Sequence, residues 1–520
     1  MNFNMNFDMK IKNLGELVEL RAKEDGNRTF LSEPEGKTLS FGELGRAVGD
    51  VSQNLKRLGL RKKDRVALAF HNGIGASVAF LSAVAGGGVA VPLNPESASR
   101  EMEFLLKNSG ARFLLAADSL GEALEKKLPE GVKEGVKVET IASGPVRMLL
   151  FALSSGGRDG EKEDDLPEDT ALLLYTSGTT GAPKGVVLTH GNLIAECVNI
   201  QEAHQLTGED KVLCLLPLHH VNGLVVTLLT PLFVGHEVVM PPRFSAHSFW
   251  RWAASHRVTW FSAVPTIYSI LLSRGEEAAE TCRLRFARSA SSALPEAVLR
   301  EFEERYGVPV IESYGISEGG SQITSNPLPP APHKAGSVGI PFGSEIKIVL
   351  EDGSEAPPGI VGEVAVRGAN IAGGYFKNPE ATAAQFRDSW FFTGDLGRFD
   401  EDGYLFLQGR KKELINRAGE MISPREIDEV LYLCPGVELA AAVGVPHSLY
   451  GEEVVAFVRF REGAAFSEED VKAFCRNRLS AFKIPRRIYP AEEFPRGPSG
   501  KIQRLRLVER YLNLPEAERL

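Results

Sequence analysis

The spacing of apolar residues in the first part of the chain predicts alternating helices and strands. Apolar side chains at intervals of three and four residues form one face of a helix, and five positions have this spacing: Leu44, Val48, Val51, Leu55 and Leu58. The apolar run at residues 65–70 follows and has the length of a buried strand. Helices that alternate with such strands pack against a sheet, so we expect an α/β fold.

The same alternation returns further along the chain. Apolar runs of strand length and helical patterns alternate at residues 212–216, 249–256, 258–263, 295–306 and 308–311. An uncharged stretch at residues 75–93 approaches the roughly 20 apolar residues that a membrane span needs, but it contains three consecutive glycines and Pro92. We interpret this stretch as a buried helix, a glycine turn and a short strand.

The pattern changes twice in the second half of the chain. From about Gly336, short β-rich segments alternate with turn residues, which predicts a small β subdomain. After Gly409 the chain becomes strongly charged and then takes an α+β pattern. We therefore expect a large N-terminal domain, residues 1–409, made of layered α/β subdomains plus the small β subdomain, and a small α+β C-terminal domain, residues 410–520. Residues 144–169 are interpreted as a solvated surface linker.

Length, charge and cysteine usage limit the classes of function. A chain of 520 residues exceeds what one hydrophobic core supports, which again indicates two or more domains. The net charge of −9, without a long basic run, argues against nucleic acid as a partner, so we expect small-molecule partners. The five cysteines are far apart, and the first ten residues lack the apolar core of a signal peptide. Both features favour a cytoplasmic protein with reduced thiols.

The most specific motif is a glycine-rich loop between two apolar runs. Residues 175–185 have the sequence Tyr-Thr-Ser-Gly-Thr-Thr-Gly-Ala-Pro-Lys-Gly. Glycines let the backbone approach an anion, hydroxyls offer hydrogen-bond donors, and a lysine supplies positive charge. It is not a Walker A loop, because no Gly-Lys-Ser/Thr triplet opens a helix. The residues predicted to hold phosphate groups are Thr176, Ser177, Gly178, Thr179, Thr180 and Lys184.

This loop closely resembles the signature loop of the adenylate-forming superfamily, which includes acyl-CoA synthetases, the adenylation domains of peptide synthetases, and luciferases. Further motifs follow in the family's order over roughly residues 15–510. The resemblance implies that ATP, Mg²⁺ and coenzyme A are used, and that the loop holds the β- and γ-phosphates of ATP. It also implies a catalytic part for Thr176 and a mobile C-terminal domain.

A second motif is expected to contact the nucleotide base and the metal ion. Residues 312–318 have the sequence Glu-Ser-Tyr-Gly-Ile-Ser-Glu. The Tyr314 ring should stack on adenine, and the Glu318 carboxylate, a hard oxygen ligand, should bind Mg²⁺ between phosphates. Ser317 stands where the family usually has threonine and keeps the hydroxyl.

The remaining motifs assign roles to four charged residues. In the Thr-Gly-Asp string of residues 390–397, Asp395 resembles the family aspartate that accepts hydrogen bonds from the ribose hydroxyls. Arg410 resembles the arginine that assists it, and Lys412 occupies the position of the hinge between the domains. Lys501, in a glycine and serine loop, resembles the catalytic lysine that offsets repulsion between the attacking carboxylate and the α-phosphate.

The resemblance implies a reaction in two halves. The substrate carboxylate first attacks the α-phosphorus of ATP and pyrophosphate leaves, and CoA then attacks the acyl-adenylate. Transfer to the phosphopantetheine of a carrier protein stays open, although only about 20 residues follow Lys501. Oxidation of the adenylate with light emission and a nucleotide-binding protein without catalysis are further alternatives. Every charged residue of the motifs is present, which favours the enzyme.

The acid itself is predicted from the residues that the resemblance places around the acyl group. These are His220, which is also assigned a catalytic shift, Asn222, Ser289, Ser291, Gly315 and Ser321. Several strings are most like those of oxalyl-CoA synthetases, which hold their dicarboxylate with two histidines. Asn222 and Ser321 stand at those positions, so a second carboxylate lacks its expected partners and would be costly to bury. We therefore expect a short to medium monocarboxylate with a polar group, and oxalate and long-chain fatty acids remain alternatives.

Overall fold

The structure of the chain is a computed structural model. It describes residues 11–128, 137–153, 166–176, 183–275, 282–461, 463–464, 467–496 and 502–520. The helices in these residues are α1 (Leu14–Glu24), α2 (Phe41–Arg57), α3 (Ile74–Ala85), α4 (Ser99–Ser109), α5 (Gly121–Lys127), α6 (His190–His204), α7 (Thr230–Val234), α8 (Ala246–Ser255), α9 (Pro265–Arg274), α10 (Glu296–Tyr306), α11 (Pro379–Gln385), α12 (Pro424–Tyr432), α13 (Glu468–Arg476) and α14 (Arg504–Leu512). A π-helix, Asn222–Leu229, precedes α7.

Twenty-two strands of the described residues lie before residue 411. They are β1 (Thr29–Ser32), β2 (Thr38–Ser40), β3 (Arg65–Ala69), β4 (Val89–Leu93), β5 (Phe113–Ala117), β6 (Lys137–Ser143), β7 (Val146–Ala152), β8 (Thr170–Thr176), β9 (Lys184–Thr189), β10 (Lys211–Cys214), β11 (Glu237–Val239), β12 (Trp260–Ala263), β13 (Phe286–Ser289), β14 (Val310–Ile316), β15 (Ser321–Ser325), β16 (Ile340–Pro341), β17 (Ser344–Val349), β18 (Gly362–Gly368), β19 (Tyr375–Phe376), β20 (Phe386–Arg387), β21 (Trp390–Phe399) and β22 (Leu405–Arg410).

These strands form two large mixed sheets and one small antiparallel sheet. The first large sheet has the order β16-β15-β14-β13-β12-β10-β11-β1-β2, and its central strands from β14 to β1 run parallel. The second has the order β19-β9-β8-β4-β3-β5-β7-β6, with a parallel centre from β8 to β5. Strands β17, β18, β21, β20 and β22 form the small sheet. The predicted α/β layering and the small β subdomain are confirmed.

The sequence patterns of the first hundred residues correspond closely to the elements observed. Helix α2 buries the apolar face predicted for it, and Ser40 and Glu43 form a capping box at its N-terminus. Helix α3 is buried on all sides, which explains why residues 75–93 contain no charge. After the glycine turn the chain continues as β4 in the centre of the second sheet. No helix of the described residues is long and apolar enough to cross a membrane.

The interpretation of residues 144–169 as a solvated linker is wrong for its first part. Residues 146–152 form β7, which pairs with β5 and β6. Alternate side chains of this strand, including Met148 and Leu150, are buried against the sheet. The charged residues that follow dominate the composition of residues 144–169, so the alternation of apolar and polar side chains at residues 146–152 was not recognised. Residues 154–165 lie outside the described part of the chain.

The C-terminal part of the chain folds around its own sheet. Five strands belong to it: β23 (Ile415–Arg417), β24 (Glu420–Ile422), β25 (Val437–His447), β26 (Gly451–Phe460) and β27 (Arg487–Pro490). Helices α12, α13 and α14 accompany this sheet, which confirms a smaller α+β domain. The buried apolar clusters of the described residues separate in the same way, since those of the large domain extend to Leu407 and those of the small domain begin at Ile415.

Candidate active site

The predicted site residues gather at the carboxyl edge of the first large sheet. Strands β10, β12, β13 and β14 run parallel, so their carboxyl ends meet at one edge. The motif at residues 216–223 follows β10, Ser291 follows β13, and Tyr314 lies near the end of β14. Ligands of open α/β sheets bind outside the carboxyl ends of the strands. A cavity of about 230 Å³ opens there, and Ser291, Tyr314 and Gly315 line it.

Tyr314, Asp395 and Arg410 form one hydrogen-bonded group in the wall of this cavity. The Tyr314 hydroxyl donates to Oδ2 of Asp395 at 2.5 Å, and Nε of Arg410 donates to Oδ1 at 3.0 Å. Asp395 and Arg410 lie opposite each other in the β21–β22 register. The neighbouring carboxylate raises the pKa of Arg410, so the guanidinium stays charged. The group offers an aromatic face and a carboxylate side by side, as a nucleoside requires.

Gly315 is required by the close approach of two strands next to this group. A Cβ atom on Gly315 would lie 1.4 Å from the carbonyl oxygen of Ser321 in β15. Since real Cβ atoms never approach so closely, only glycine allows β15 to pair with β14 at this point. Gly223 is required in the same way, because its Cβ would lie 2.2 Å from the carbonyl oxygen of Pro217.

The two ends of the glycine-rich loop lie beside the predicted metal ligand. Thr176, at the end of β8, pairs with Lys184, at the start of β9. Lys184 Nζ donates to Oε1 of Gln385 at 3.1 Å and lies 4.8 Å from the centre of the Tyr375 ring. The Tyr375 hydroxyl in turn donates to Oε1 of Glu318 at 2.6 Å. The structure therefore connects the lysine of the loop to the predicted Mg²⁺ ligand through one aromatic side chain.

Several predicted residues fall outside the described part of the chain. They are Ser177, Gly178, Thr179, Thr180 and Lys501. Ile502, the residue after Lys501, lines the same cavity as Tyr314 and Asp395, as do Arg425 and Arg504. The small domain therefore closes one side of the cavity. Lys412 is exposed in the short turn Lys411–Glu413 that connects β22 to β23, and it does not line the cavity, although Arg410 and Glu413 do.

Two of the residues predicted around the acyl group, Asn222 and Ser291, are hydrogen-bonded to each other. Asn222 begins the π-helix and its Nδ2 donates to Oγ of Ser291 at 3.2 Å. His220 lies in the preceding turn, and its ring centroid is 4.5 Å from that of His219. Burial lowers the pKa of His219 to about 3, so that ring is neutral. π-Helical turns are frequent at functional sites, which fits the position of Asn222.

Three further predicted residues occupy less direct positions. Ser289 is the last residue of β13 and is buried, with no hydrogen-bond partner for its Oγ among the described residues. Ser321 is buried at the start of β15. Ser317 begins the helical turn Ser317–Gly319 that presents Glu318. Each lies within the motif region, but only Ser291 and Gly315 of the predicted acyl residues line the cavity itself.

Sequence reasoning missed three residues that hold the site together. Tyr375 and Gln385 connect Glu318 to Lys184 from strand β19 and helix α11, about 60 residues beyond the motif they support. The aromatic pair at Tyr375–Phe376 was a weak signal of a strand. Arg288 is fully buried and donates to Asn222, and its neighbours in the sequence, which include Arg283 and Arg285, gave no signal of this burial.

Models of two families match the chain. The AMP-binding enzyme model matches residues 18–376, and the model of the AMP-binding enzyme C-terminal domain matches residues 426–501. The first covers more than half of the chain. Together they include Tyr314, Glu318 and Lys501, whereas Asp395, Arg410 and Lys412 lie between the two matched ranges.

Curated relatives and a solved structure are similar over nearly the whole chain. A sulfoacetate–CoA ligase of Cupriavidus necator is 41% identical over 498 residues, covering 95% of this chain and 97% of the relative. An oxalate–CoA ligase of Arabidopsis thaliana is 41% identical over 510 residues, covering 96% and 99%. The structure of O-succinylbenzoate coenzyme A synthetase from Bacillus subtilis with ATP and magnesium ion superposes with a TM-score of 0.79 at 31% identity, covering 94% of this chain and 98% of that one.

Proposed function

The chain belongs to the AMP-binding enzyme family, and on this premise we propose that it is an AMP-forming acyl-CoA synthetase. It joins a carboxylic acid to coenzyme A at the expense of ATP through an acyl-adenylate. The observation that supports this most is the group of Tyr314, Asp395 and Arg410 in the cavity wall, because it combines an aromatic face with a fixed carboxylate. Those are the contacts that the base and the ribose of ATP need.

The proposed roles of the nucleotide-binding residues follow from this geometry. Tyr314 stacks on the adenine, and the Asp395 carboxylate accepts hydrogen bonds from the ribose hydroxyls. Arg410 holds that carboxylate in place through Oδ1. Thr176 and Lys184, with the loop between them, bind the β- and γ-phosphates, and Ser317 assists next to Glu318. A lysine suits this place because its ammonium is a compact charge that attracts phosphate oxygens.

The residues near Lys184 fit a magnesium ion bound together with ATP. Mg²⁺ is usually held by one or two carboxylates plus substrate phosphates, and Glu318 offers one carboxylate beside the loop. No cluster of three or more potential metal ligands occurs in the part of the chain that the structure describes, so we propose Glu318 as the protein ligand. The ion would neutralise charge on the phosphates. Tyr375 and Gln385 orient the carboxylate and the lysine.

We propose that Lys501 serves the first half-reaction. A carboxylate oxygen of the acid forms a bond to the α-phosphorus, the bond to the bridging oxygen breaks, and pyrophosphate leaves. Two anions approach each other in this step, and an ammonium placed between them offsets their repulsion. His220 and Asn222 border the acyl group, with Ser289, Ser291, Gly315 and Ser321 as the surrounding pocket.

The second half-reaction is proposed to follow a swing of the small domain. The CoA thiol loses its proton, the sulfur attacks the acyl carbon, and AMP leaves. We place the boundary between the domains at residue 410 and the hinge at Lys412, and the separation of the apolar clusters between Leu407 and Ile415 supports both. The phosphopantetheine of a carrier protein carries the same thiol and stays the alternative acceptor. All five cysteines are free, which supports the proposed cytoplasmic location.

The proposal is tested by product analysis with purified protein. ATP, MgCl₂ and CoA are supplied with a panel of acids that includes sulfoacetate, oxalate, butyrate, 3-hydroxybutyrate, benzoate and palmitate. We expect one AMP and one pyrophosphate per thioester, and an acyl hydroxamate when hydroxylamine replaces CoA. Formation of ADP and phosphate would contradict the proposal. A parallel reaction with a phosphopantetheinylated carrier protein decides between the two thiol acceptors.

A further inference from the structure

A buried arginine lies directly behind the acyl side of the cavity. Arg288, in the middle of β13, is 1% exposed. Its side chain donates to Oδ1 of Asn222 at 3.2 Å, to Oγ of Ser262 at 3.0 Å and to Oε1 of Gln322 at 3.3 Å. All three acceptors are neutral, and no described carboxylate forms an ion pair with it. A buried charge without a counter-charge is costly, so its presence requires an explanation.

Glu196 is the acidic residue whose charge acts on Arg288, and no described ion pair joins the two side chains. Glu196 is fully buried and accepts hydrogen bonds from Asn370 and from the backbone of Gln322. Burial raises the pKa of Glu196, which favours its neutral form. Burial also lowers the pKa of His204, the other titratable neighbour of Gln322, to about 3. The guanidinium is therefore the dominant charge of this cluster.

The hydrogen bonds fix the orientation of the Asn222 amide. Its Oδ1 accepts from Arg288 and also from Ser262 Oγ at 2.8 Å. Because both neighbours are donors, the oxygen faces them and the amide nitrogen faces the other way. The nitrogen donates to Ser291 Oγ at 3.2 Å. Arg288, Asn222 and Ser291 thus form a chain of hydrogen bonds, called the relay below, in which each member polarises the next.

Ser291 is the member of this relay that lines the cavity. It lines the cavity together with Gly315 and Tyr314. Its oxygen accepts from Asn222, so its own proton is available to donate into the cavity. Its backbone has a φ of 74°, a left-handed conformation that is unusual for serine and clusters at functional sites. The cavity wall therefore offers the Ser291 hydroxyl as a hydrogen-bond donor, and the positive charge of Arg288 lies behind it.

We propose that the relay from Arg288 through Asn222 to Ser291 recognises a second anionic group, a sulfonate or carboxylate, at the far end of a short acid. Arg288 and Asn222 are positioning residues in this account, whereas Ser291 lines the cavity and faces the substrate. The inference rests on the proposed acyl-CoA synthetase function. It replaces the sequence-based expectation of a monocarboxylate, which followed from neutral Asn222 and Ser321. The positive charge expected at position 222 is supplied by Arg288, which lies behind Asn222 as seen from the cavity.

Two isosteric pairs of acids test the proposal in the wild-type chain. Sulfoacetate is compared with methylsulfonylacetate, and oxalate with oxamate, by pyrophosphate release in the presence of CoA. Because the Ser291 donor is polarised by the Arg288 cation, the charged acid of at least one pair should have a kcat/KM about 10- to 100-fold higher than that of its neutral partner. Equal values within both pairs would overturn the inference and leave the proposed function intact. Absence of pyrophosphate release with every acid, neutral ones included, would overturn the proposed function.

Two substitutions test the relay itself. Asn222→Asp keeps the size of the side chain, and the new carboxylate pairs with Arg288, so the protein should fold. The Ser291 hydroxyl would then donate to this carboxylate and no longer into the cavity. The preference for the charged acid should disappear while the neutral partner is still used. Persistence of the preference in Asn222→Asp would contradict the proposal.

Arg288→Met removes the cation at nearly constant length and should raise KM for the charged acid about tenfold or more, with little change in KM for ATP or for the neutral acid. A uniform loss with all acids and with ATP would show a merely structural role. Arg285→Gln is the control, since Arg285 lies just before β13 and pairs with Asp210, outside the relay. It should leave the ratio between charged and neutral acids unchanged.

Discussion

The hydroxyl of Tyr314 donates a 2.5 Å hydrogen bond to Asp395, a residue 81 positions further along the chain. This bond fixes the proposed adenine platform relative to the proposed ribose acceptor. Arg410 occupies the other carboxylate oxygen, so the Asp395 side chain is held from two sides before a nucleotide arrives. A site with its polar groups already in place binds without first ordering them.

Replacing Asp395 by alanine should weaken ATP binding. The ribose hydroxyls lose an acceptor, and Tyr314 and Arg410 lose their shared partner. The loss should be about 1 to 3 kcal/mol, or roughly 5- to 150-fold in Kd. Tyr314→Phe keeps the ring and removes only the hydroxyl, so a smaller loss is expected. Calorimetric titration with ATP measures both, and an unchanged Kd in Asp395→Ala would refute the assigned role.

Tyr375→Phe should increase the magnesium concentration needed for activity. The Tyr375 hydroxyl lies 2.6 Å from Oε1 of Glu318 and 2.9 Å from Oε1 of Gln385. Groups that orient a metal ligand typically contribute about 10- to 100-fold in metal affinity. We expect a shift of at least several-fold in the Mg²⁺ dependence of pyrophosphate release. Tyr404→Phe is the control, because its hydroxyl donates to Pro332 instead. Equal shifts in both variants would contradict the role of Tyr375.

Lys501→Ala should separate the two half-reactions. Removing the ammonium leaves the repulsion between carboxylate and α-phosphate uncompensated, so pyrophosphate release from acid and ATP should be abolished. Conversion of supplied acyl-adenylate and CoA to thioester should continue, because that step involves no attack on phosphorus. If a well-folded variant loses both activities, the assignment of Lys501 to adenylation alone is wrong.

Lys412→Pro should have the complementary effect. Proline restricts φ to about −65° and hinders a swing about this residue, so adenylation should persist while thioester formation falls. Lys412→Ala removes the side chain without restricting the backbone and serves as the control. Equal loss of both half-reactions in Lys412→Pro, or the same defect in Lys412→Ala, would mean that the backbone of Lys412 is not the pivot.

Local patterns predicted much of the fold. The apolar face of α2, the uncharged helix α3 and the strand before the glycine-rich loop all follow from hydrophobic spacing over fewer than 20 residues. Residues 144–169 misled the interpretation, because a short strand of alternating side chains was averaged with a charged segment that follows it. β7 is an antiparallel strand whose partners lie on both sides in the sheet, and neither pairing has a signal within the window.

Contacts between distant parts of the chain could not be predicted in the same way. Motif order located Tyr314, Asp395 and Arg410 individually, but the hydrogen bond between Tyr314 and Asp395 depends on how the small β-sheet meets the large one. Arg288 shows the limit most clearly. Nothing in the sequence around Arg288 indicates that it is buried, and only the fold shows that it donates to Asn222, which in turn donates to Ser291.

The fate of the carboxylate oxygens tests the central claim most directly. If the acid attacks the α-phosphorus and the thiol then displaces AMP, one oxygen of an ¹⁸O-labelled carboxylate must end in AMP. We predict, by mass spectrometry of the products, one ¹⁸O atom in AMP and none in pyrophosphate for each labelled acid that is converted to its CoA thioester. Label in inorganic phosphate, or AMP without label, would contradict an acyl-adenylate intermediate.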